Sequence, residues 1–268
     1  MIIELRVGDQ SFRVDFATPI DISRPVQMNT EGLAFSLNGA LERPVQAGDF
    51  IGEVKSGGSV NCSTLEIHAH GNGTHTECIG HILADRVVVP DAPPPPLLSC
   101  VLLSAQPVAL GDTQEHYTGK HDASDQVITA ASLAESMLRV GKLPFSAASV
   151  VVRSGSGDDI FSGTNPPYFT VEAIDFLLSL NAEHILCDLP SLDREDDGGS
   201  LCAHRRFWQL SAEQKHATPT PARHRTVTEL CRIPDNLEDG PYLLTLQIPA
   251  IDSDAVPSRP LLFTLHGI

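Results

Sequence analysis

The sequence predicts a single α/β domain, mixed β/α with a central β-sheet core, and three observations carry that expectation. Two amphipathic stretches, 130–139 and 171–180, have helical periodicity, and each is followed by a short apolar run suited to a buried strand, 148–152 and 184–187. The beginning and the end of the chain both read as extended. No internal repeat divides the 268 residues, a length that one large core can serve.

The elements follow in order. Ile2 to Val7 alternates, Gly8-Asp9 offers a turn, and Ser11 to Val14 alternates again, so the first ~20 residues read as an extended embellishment on a domain spanning 1–268. Residues 26–60 carry Gly and Pro punctuation without helical period and read as loops and short strands. Pro93 to Pro96 form a stiff surface spacer, and Leu98 to Leu103 a buried strand. Thr129 can cap the first helix and Gly141 close it; Thr170 can cap the second, whose Val171, Ile174, Leu177 and Leu178 share a face. Pro241 to Ile248 is extended.

Composition narrows the function. Apolar residues make up 41% and charged residues 19%, enough to fold around a core. The net charge of −16 repels nucleic acid, and no basic segment relieves it. No apolar run approaches the ~18 residues of a membrane span, and the start lacks the basic-then-apolar order of a signal peptide; a cytoplasmic location is expected. The six cysteines are scattered without a CxxC pair and read as free, mostly buried thiols.

The chemistry concentrates in residues 68–81, where His68, His70, His75, Glu77 and His81 are interleaved with Gly71, Gly73 and Gly80. Neutral imidazoles beside a carboxylate suit Zn, Mn or Fe, and the lack of a thiol pair argues against a structural zinc knuckle. A fully extended chain would hold His75 and His81 roughly 20 Å apart. Either the glycines bend it around one ion, or the ligands divide between two ions about 3.5–4 Å apart bridged by Glu77; the second arrangement is favoured.

This segment resembles the HxGTHxDxPxH signature of the cyclase family, which includes bacterial kynurenine formamidases and isatin hydrolase. Gly73-Thr74-His75 matches its GTH core and His81 its last histidine, while Glu77 stands in place of its metal-binding aspartate. Asp21-Ile22-Ser23, Asp188-Leu189-Pro190-Ser191-Leu192-Asp193 followed by His204, Thr228-Glu229-Leu230, and Pro249 through Pro260 are similar to further family segments, in the family's order. The resemblance implies a swivelling β/β/α-like cyclase fold and a homodimer. It also implies one or two divalent ions, Zn or Mn, held by His75, Glu77, His81, His204 and Glu229.

The family's first histidine falls on Gly71 here, so His70 reaches the site only if Gly71-Asn72 bulges out of the strand; a regular strand would turn it to the opposite face. His68 is its rival. The expected reaction is hydrolysis of an amide, lactam or similar acyl C–N bond in a small molecule, arylformamidase-like. His204 would shuttle a proton, with Glu229 as orienter or second-ion ligand. A metal-retaining binding protein without turnover and a structural zinc protein are the alternatives. Asp188 and Asp193 read as turn residues and Ser191 as an ST-turn hydroxyl. Phe35, Phe50, Tyr168, Phe169 and Trp208 are candidates for pocket walls, with core packing the stronger reading for each.

Overall fold

The structure, a computed structural model, describes residues 1–155, 160–217 and 222–268. Its centre is a nine-stranded mixed sheet. From one edge to the other, the strands run Ala255–Pro257, His75–Glu77, Thr226–Glu229, His184–Cys187, Ser149–Arg153, Leu98–Ser104, Gly240–Gln247, Arg259–Thr264 and Ile20–Asp21. The four strands from Thr226–Glu229 to Leu98–Ser104 are parallel, and every other pairing is antiparallel. Parallel strands need covering on both faces, and two clusters provide it. Val101, Leu103, Val150, Val152 and Ile185 face the helices, while Cys100, Leu102, Val151 and Leu186 face Ile22, Leu244 and Leu262.

Helix α1 is the short turn Ala69–Asn72, α2 is Ala130–Val140, α3 is Val171–Ser179 and α4 is Cys202–Phe207. The two longer helices begin where the sequence places them. Thr129 accepts from the Ser132 N–H and Thr170 from the Ala173 N–H, each at 3.0 Å. Gly141, at φ 77°, closes α2 in a conformation that disfavours side chains. Helix α4 was not legible. It spans six residues, starts after Leu201 at φ 46°, and is capped from a distance, the Asp193 carboxylate accepting from the Ala203 and His204 N–H groups at 2.8 and 3.1 Å.

The N-terminal residues form the expected hairpin, Ile2–Val7 with Gln10–Asp15, joined by His266–Gly267 into a separate three-stranded sheet. Residues 41–67 extend as two small ribbons, Leu41–Pro44 with Ser63–Glu66 and Gln46–Ala47 with Phe50–Ile51, and are exposed nearly throughout. Among the described residues no helix is long and apolar enough to cross a membrane. All six cysteines are free, and Cys78, Cys100, Cys187 and Cys231 are buried.

Candidate metal centre

Sheet register assembles the site at the carboxyl ends of the parallel strands, where open α/β sheets place their ligands. His75 lies directly opposite Glu229, and Glu77 opposite both Val227 and Ala255. Alternation along the strand sends His75 and Glu77 to one face and Thr76 to the other. On that second face Thr76 shares hydrogen bonds of 2.8 Å with Thr228 and with Ser258, which close the row behind the site. Thr74 Oγ1 donates to the Leu230 carbonyl at 2.6 Å. Leu230 itself sits at φ 55°, a strained conformation for leucine immediately after Glu229.

Around Glu77 two groups form, each with ligand atoms within 4.8 Å of one another: His70, Glu77 and His81, and His75, Glu77 and Glu229. Glu77 is common to both. Its Oε2 lies 3.1 Å from His70 Nδ1 and 3.7 Å from His81 Nδ1, and its Oε1 lies 2.9 Å from His204 Nε2. Glu229 approaches His75 Nε2 and His204 Nε2, each at 3.3 Å, and its carboxylate accepts the Leu192 N–H at 3.1 Å. All six residues nominated from sequence (His70, His75, Glu77, His81, His204 and Glu229) are therefore brought together. His204 belongs to neither group, though its Nε2 faces both Glu77 and Glu229, and His68 also belongs to neither.

His70 arrives by a different route from the bulge expected at Gly71-Asn72. The extra residue is taken up by the helical turn α1, with Asn72 inside the turn and its side chain binding the His68 N–H and the Asn38 carbonyl at 2.8 and 2.9 Å. Gly71 matters here for space, not for φ: a Cβ would stand 2.8 Å from Leu37 Cδ1 and 3.1 Å from the Ala34 carbonyl oxygen.

Asp193 also does more than hold a turn. Its Oδ2 accepts from His204 Nδ1 at 2.6 Å, while its Oδ1 accepts from the Tyr117 hydroxyl at 2.8 Å. Ser191 Oγ accepts the Asp193 N–H, as an ST-turn hydroxyl would. Asp188 accepts from the Ser154 and Gly155 N–H groups. Trp208 is fully buried and lies 5.4 Å from the His204 ring, centroid to centroid, at 31°. Tyr168 and Phe169 are core residues, and Phe50 is exposed on the ribbon arm. Asp254, which sequence reading missed, stands 3.3 Å from His70 Nε2 and 3.8 Å from His81 Nδ1.

The electrostatics of the cluster are those of a site that could hold a cation. His75 Nδ1 can donate to the Gly73 carbonyl at 3.1 Å, as His204 Nδ1 does to Asp193, so both Nε2 atoms face carboxylates. Those Nε2 atoms and both Glu77 oxygens are buried without a hydrogen-bond partner among the described residues, a costly arrangement unless a cation or protons lie between them. Burial opposes charge on His204, yet Glu77, Asp193 and Glu229 hold its pKa well above the usual imidazole range. Burial likewise opposes charge on Glu77, and His81 and His204 hold its carboxyl well below the usual range. Protons thus sit where a cation would balance the same carboxylates. The donor set, imidazole with carboxylate, fits a divalent metal ion. Cys78 supplies no thiolate: its Sγ donates to the Val87 carbonyl at 3.6 Å, and burial pushes the thiol up to about 11.

Comparison with known proteins bears on the family and the fold. The Cyclase family model, described as "Putative cyclase", matches residues 19–194, well over half of the chain. No curated protein sequence gives a significant match. Among solved structures, isatin hydrolase A from Labrenzia aggregata bound to benzyl benzoate superposes with a TM-score of 0.62 at 15% identity, covering 92% of this chain and 93% of that one. Isatin hydrolase A from Ralstonia solanacearum gives 0.59 at 16%, covering 92% of each chain. A structure described as a potential metal-dependent hydrolase with cyclase activity gives 0.58 at 16%, covering 92% and 97%. At these identities the likeness is one of fold; the sequence match is what fixes kinship, and the chain belongs to the cyclase family.

Proposed function

We propose that this protein is a metal-dependent hydrolase that cleaves an amide, lactam or similar acyl C–N bond in a small molecule. The observation that carries the reading is the convergence of His75 Nε2, His204 Nε2 and both Glu77 oxygens, all buried and without hydrogen-bond partners among the described residues. His70, His75, Glu77, His81 and Glu229 would hold one or two divalent ions, Zn or Mn, with Glu77 shared between two positions, and His204, which belongs to neither group of ligand atoms, would stay free to move a proton. When bound, such an ion supplies a Lewis acid toward a carbonyl oxygen and a water acidified from 15.7 toward about 7.

The chain's own groups account for the rest. Asp193 fixes the His204 tautomer and stabilises its imidazolium, so Nε2 is the atom that can take a proton from water and return it to the leaving amine. The Leu192 N–H steadies Glu229 beside both His75 and His204. Burial of these groups excludes bulk water, which strengthens every charge interaction among them. The absence of a thiolate at Cys78 favours this reading over a structural zinc protein. The family kinship and the isatin hydrolase folds support a cyclic or N-acyl substrate.

A homodimer is part of the proposal. The ribbon arm leaves Phe50, Ile51, Val54, Val60, Leu65 and Ile67 exposed, more apolar surface than an isolated ribbon without its own core sustains. Sedimentation should give a dimer mass, and charged replacements at Val60 and Leu65 should give a monomer.

Elemental analysis after dialysis without chelator should find Zn or Mn near stoichiometric, and the loaded protein should turn over members of a panel of N-formyl amines and lactams. A protein that refuses both ions, or a loaded one inert across the panel, overturns the reading.

A further inference from the structure

His70 differs from His75 and His204 in what holds it. His75 lies in a strand paired on both sides, and His204 is fixed by a buried carboxylate. His70 sits on a four-residue turn, with its side chain 28% exposed. Its ring is nevertheless placed between two carboxylates: Nδ1 lies 3.1 Å from Glu77 Oε2, and Nε2 lies 3.3 Å from Asp254 Oδ2.

Asp254 is itself firmly built. Its backbone carbonyl accepts the Cys78 N–H at 3.0 Å, locking it to the segment that carries Glu77 and His81. Its Oδ1 accepts from Ser253 Oγ at 3.3 Å, which leaves Oδ2 for the imidazole. Ala255 pairs with Glu77, so Asp254 emerges one residue beyond the shared carboxylate. Gly80 leaves the approach open: a Cβ there would stand 3.3 Å from Asp254 Cβ and 1.9 Å from the Val87 carbonyl oxygen.

We propose that Asp254 is a positioning residue, accepting the Nε2–H of His70 and so presenting Nδ1 of that ring to the metal beside Glu77. The inference rests on the metal-centre reading above. A carboxylate behind a ligating histidine fixes its tautomer and raises its basicity, and the loss of such a partner typically costs 10–100-fold in metal affinity. His70 is then the reverse of His75 and His204, whose Nδ1 atoms face the protein and whose Nε2 atoms face the site. The reversal follows from α1: a ring reaching the cluster from a helical turn, one residue out of the strand's register, meets it from another side.

The test uses the full chain loaded with zinc. Long-range 1H–15N correlation of the histidine rings should show His70 protonated at Nε2 and metal-shifted at Nδ1. In chelator competition, Asp254→Ala should lower zinc affinity ~10–100-fold and Asp254→Asn severalfold. Asp254→Glu should recover part of the loss, and the melting temperature of the metal-free protein should barely move. His70 protonated at Nδ1, or an Asp254→Ala affinity within about twofold of wild type, overturns the inference while leaving the metal centre standing. A wild-type chain that takes up no zinc fails the metal-centre reading first, and the inference with it.

Discussion

Two parts of one sheet are built on opposite rules. In the central strands Leu98–Ser104, Ser149–Arg153 and His184–Cys187, consecutive residues such as Val101, Leu102 and Leu103, or Val150, Val151 and Val152, are fully buried although they face opposite sides. Both faces are apolar, and burial stabilises them with no geometric demand beyond fit. The flank formed by Thr226–Glu229, His75–Glu77 and Ala255–Pro257 is buried just as deeply, but with His75, Thr76, Glu77, Thr228 and Glu229 inside. One face of that flank satisfies its hydroxyls internally; the other leaves imidazole and carboxylate atoms without hydrogen-bond partners among the described residues. Stability therefore resides in the centre. The flank gives up stability to hold polar groups in place, as functional sites do when they break local rules.

The largest effect expected from breaking this division is at His204. His204→Ala should lower kcat ~10²–10⁴-fold, the usual contribution of a general acid–base group, while circular dichroism stays near wild type. Unfolding instead of inactivity would mean that the flank carries stability after all. The converse change lies in the centre. Leu102→Ala removes a fully buried side chain packed among Cys100, Val151 and Leu244, and should cost ~2–5 kcal/mol of unfolding free energy. Metal content per folded chain should not change; a parallel loss of metal would show that the two regions are coupled.

The same division explains what was legible in the sequence. The central strands and α2 and α3 announce themselves because apolar runs, periodicity and Thr129 and Thr170 caps are all local signals. Residues 70–81 were legible because three histidines and a carboxylate fall in one short segment, and His204 and Glu229 became so through resemblance. Asp254 was not: it is one of 34 acidic residues, and only antiparallel pairing beside Glu77 brings it to His70. The turn α1 was misjudged as a strand bulge because four residues show no period, and its closure depends on Asn38, Ala34 and Leu37 from a distant loop. Helix α4 was invisible for the same reason, its cap being Asp193, ten residues before Ala203.

Two buried histidines sharpen the comparison further. His204 in the flank is surrounded by carboxylates and its pKa is raised. His184, at the head of a central strand, is equally buried, but its described partner is the neutral Thr226 hydroxyl at 2.9 Å from Nδ1. Burial, with the nearby His224 adding to it, pushes His184 down to about 4 from an ordinary 6.5. The folded protein keeps this ring neutral across a range where the unfolded chain takes up a proton. Its contribution to stability is complete above pH 6.5 and falls as pH drops from 6.5 toward 4, at about 1.4 kcal/mol per pH unit. Urea unfolding at pH 7 and pH 5 should therefore show a decline in the wild type that exceeds that of His184→Gln by about 2 kcal/mol, the difference cancelling the acid response of the flank carboxylates common to both proteins. Equal declines in the two proteins would mean that the ring is already protonated when folded, and that the central strands tolerate buried charge as the flank does.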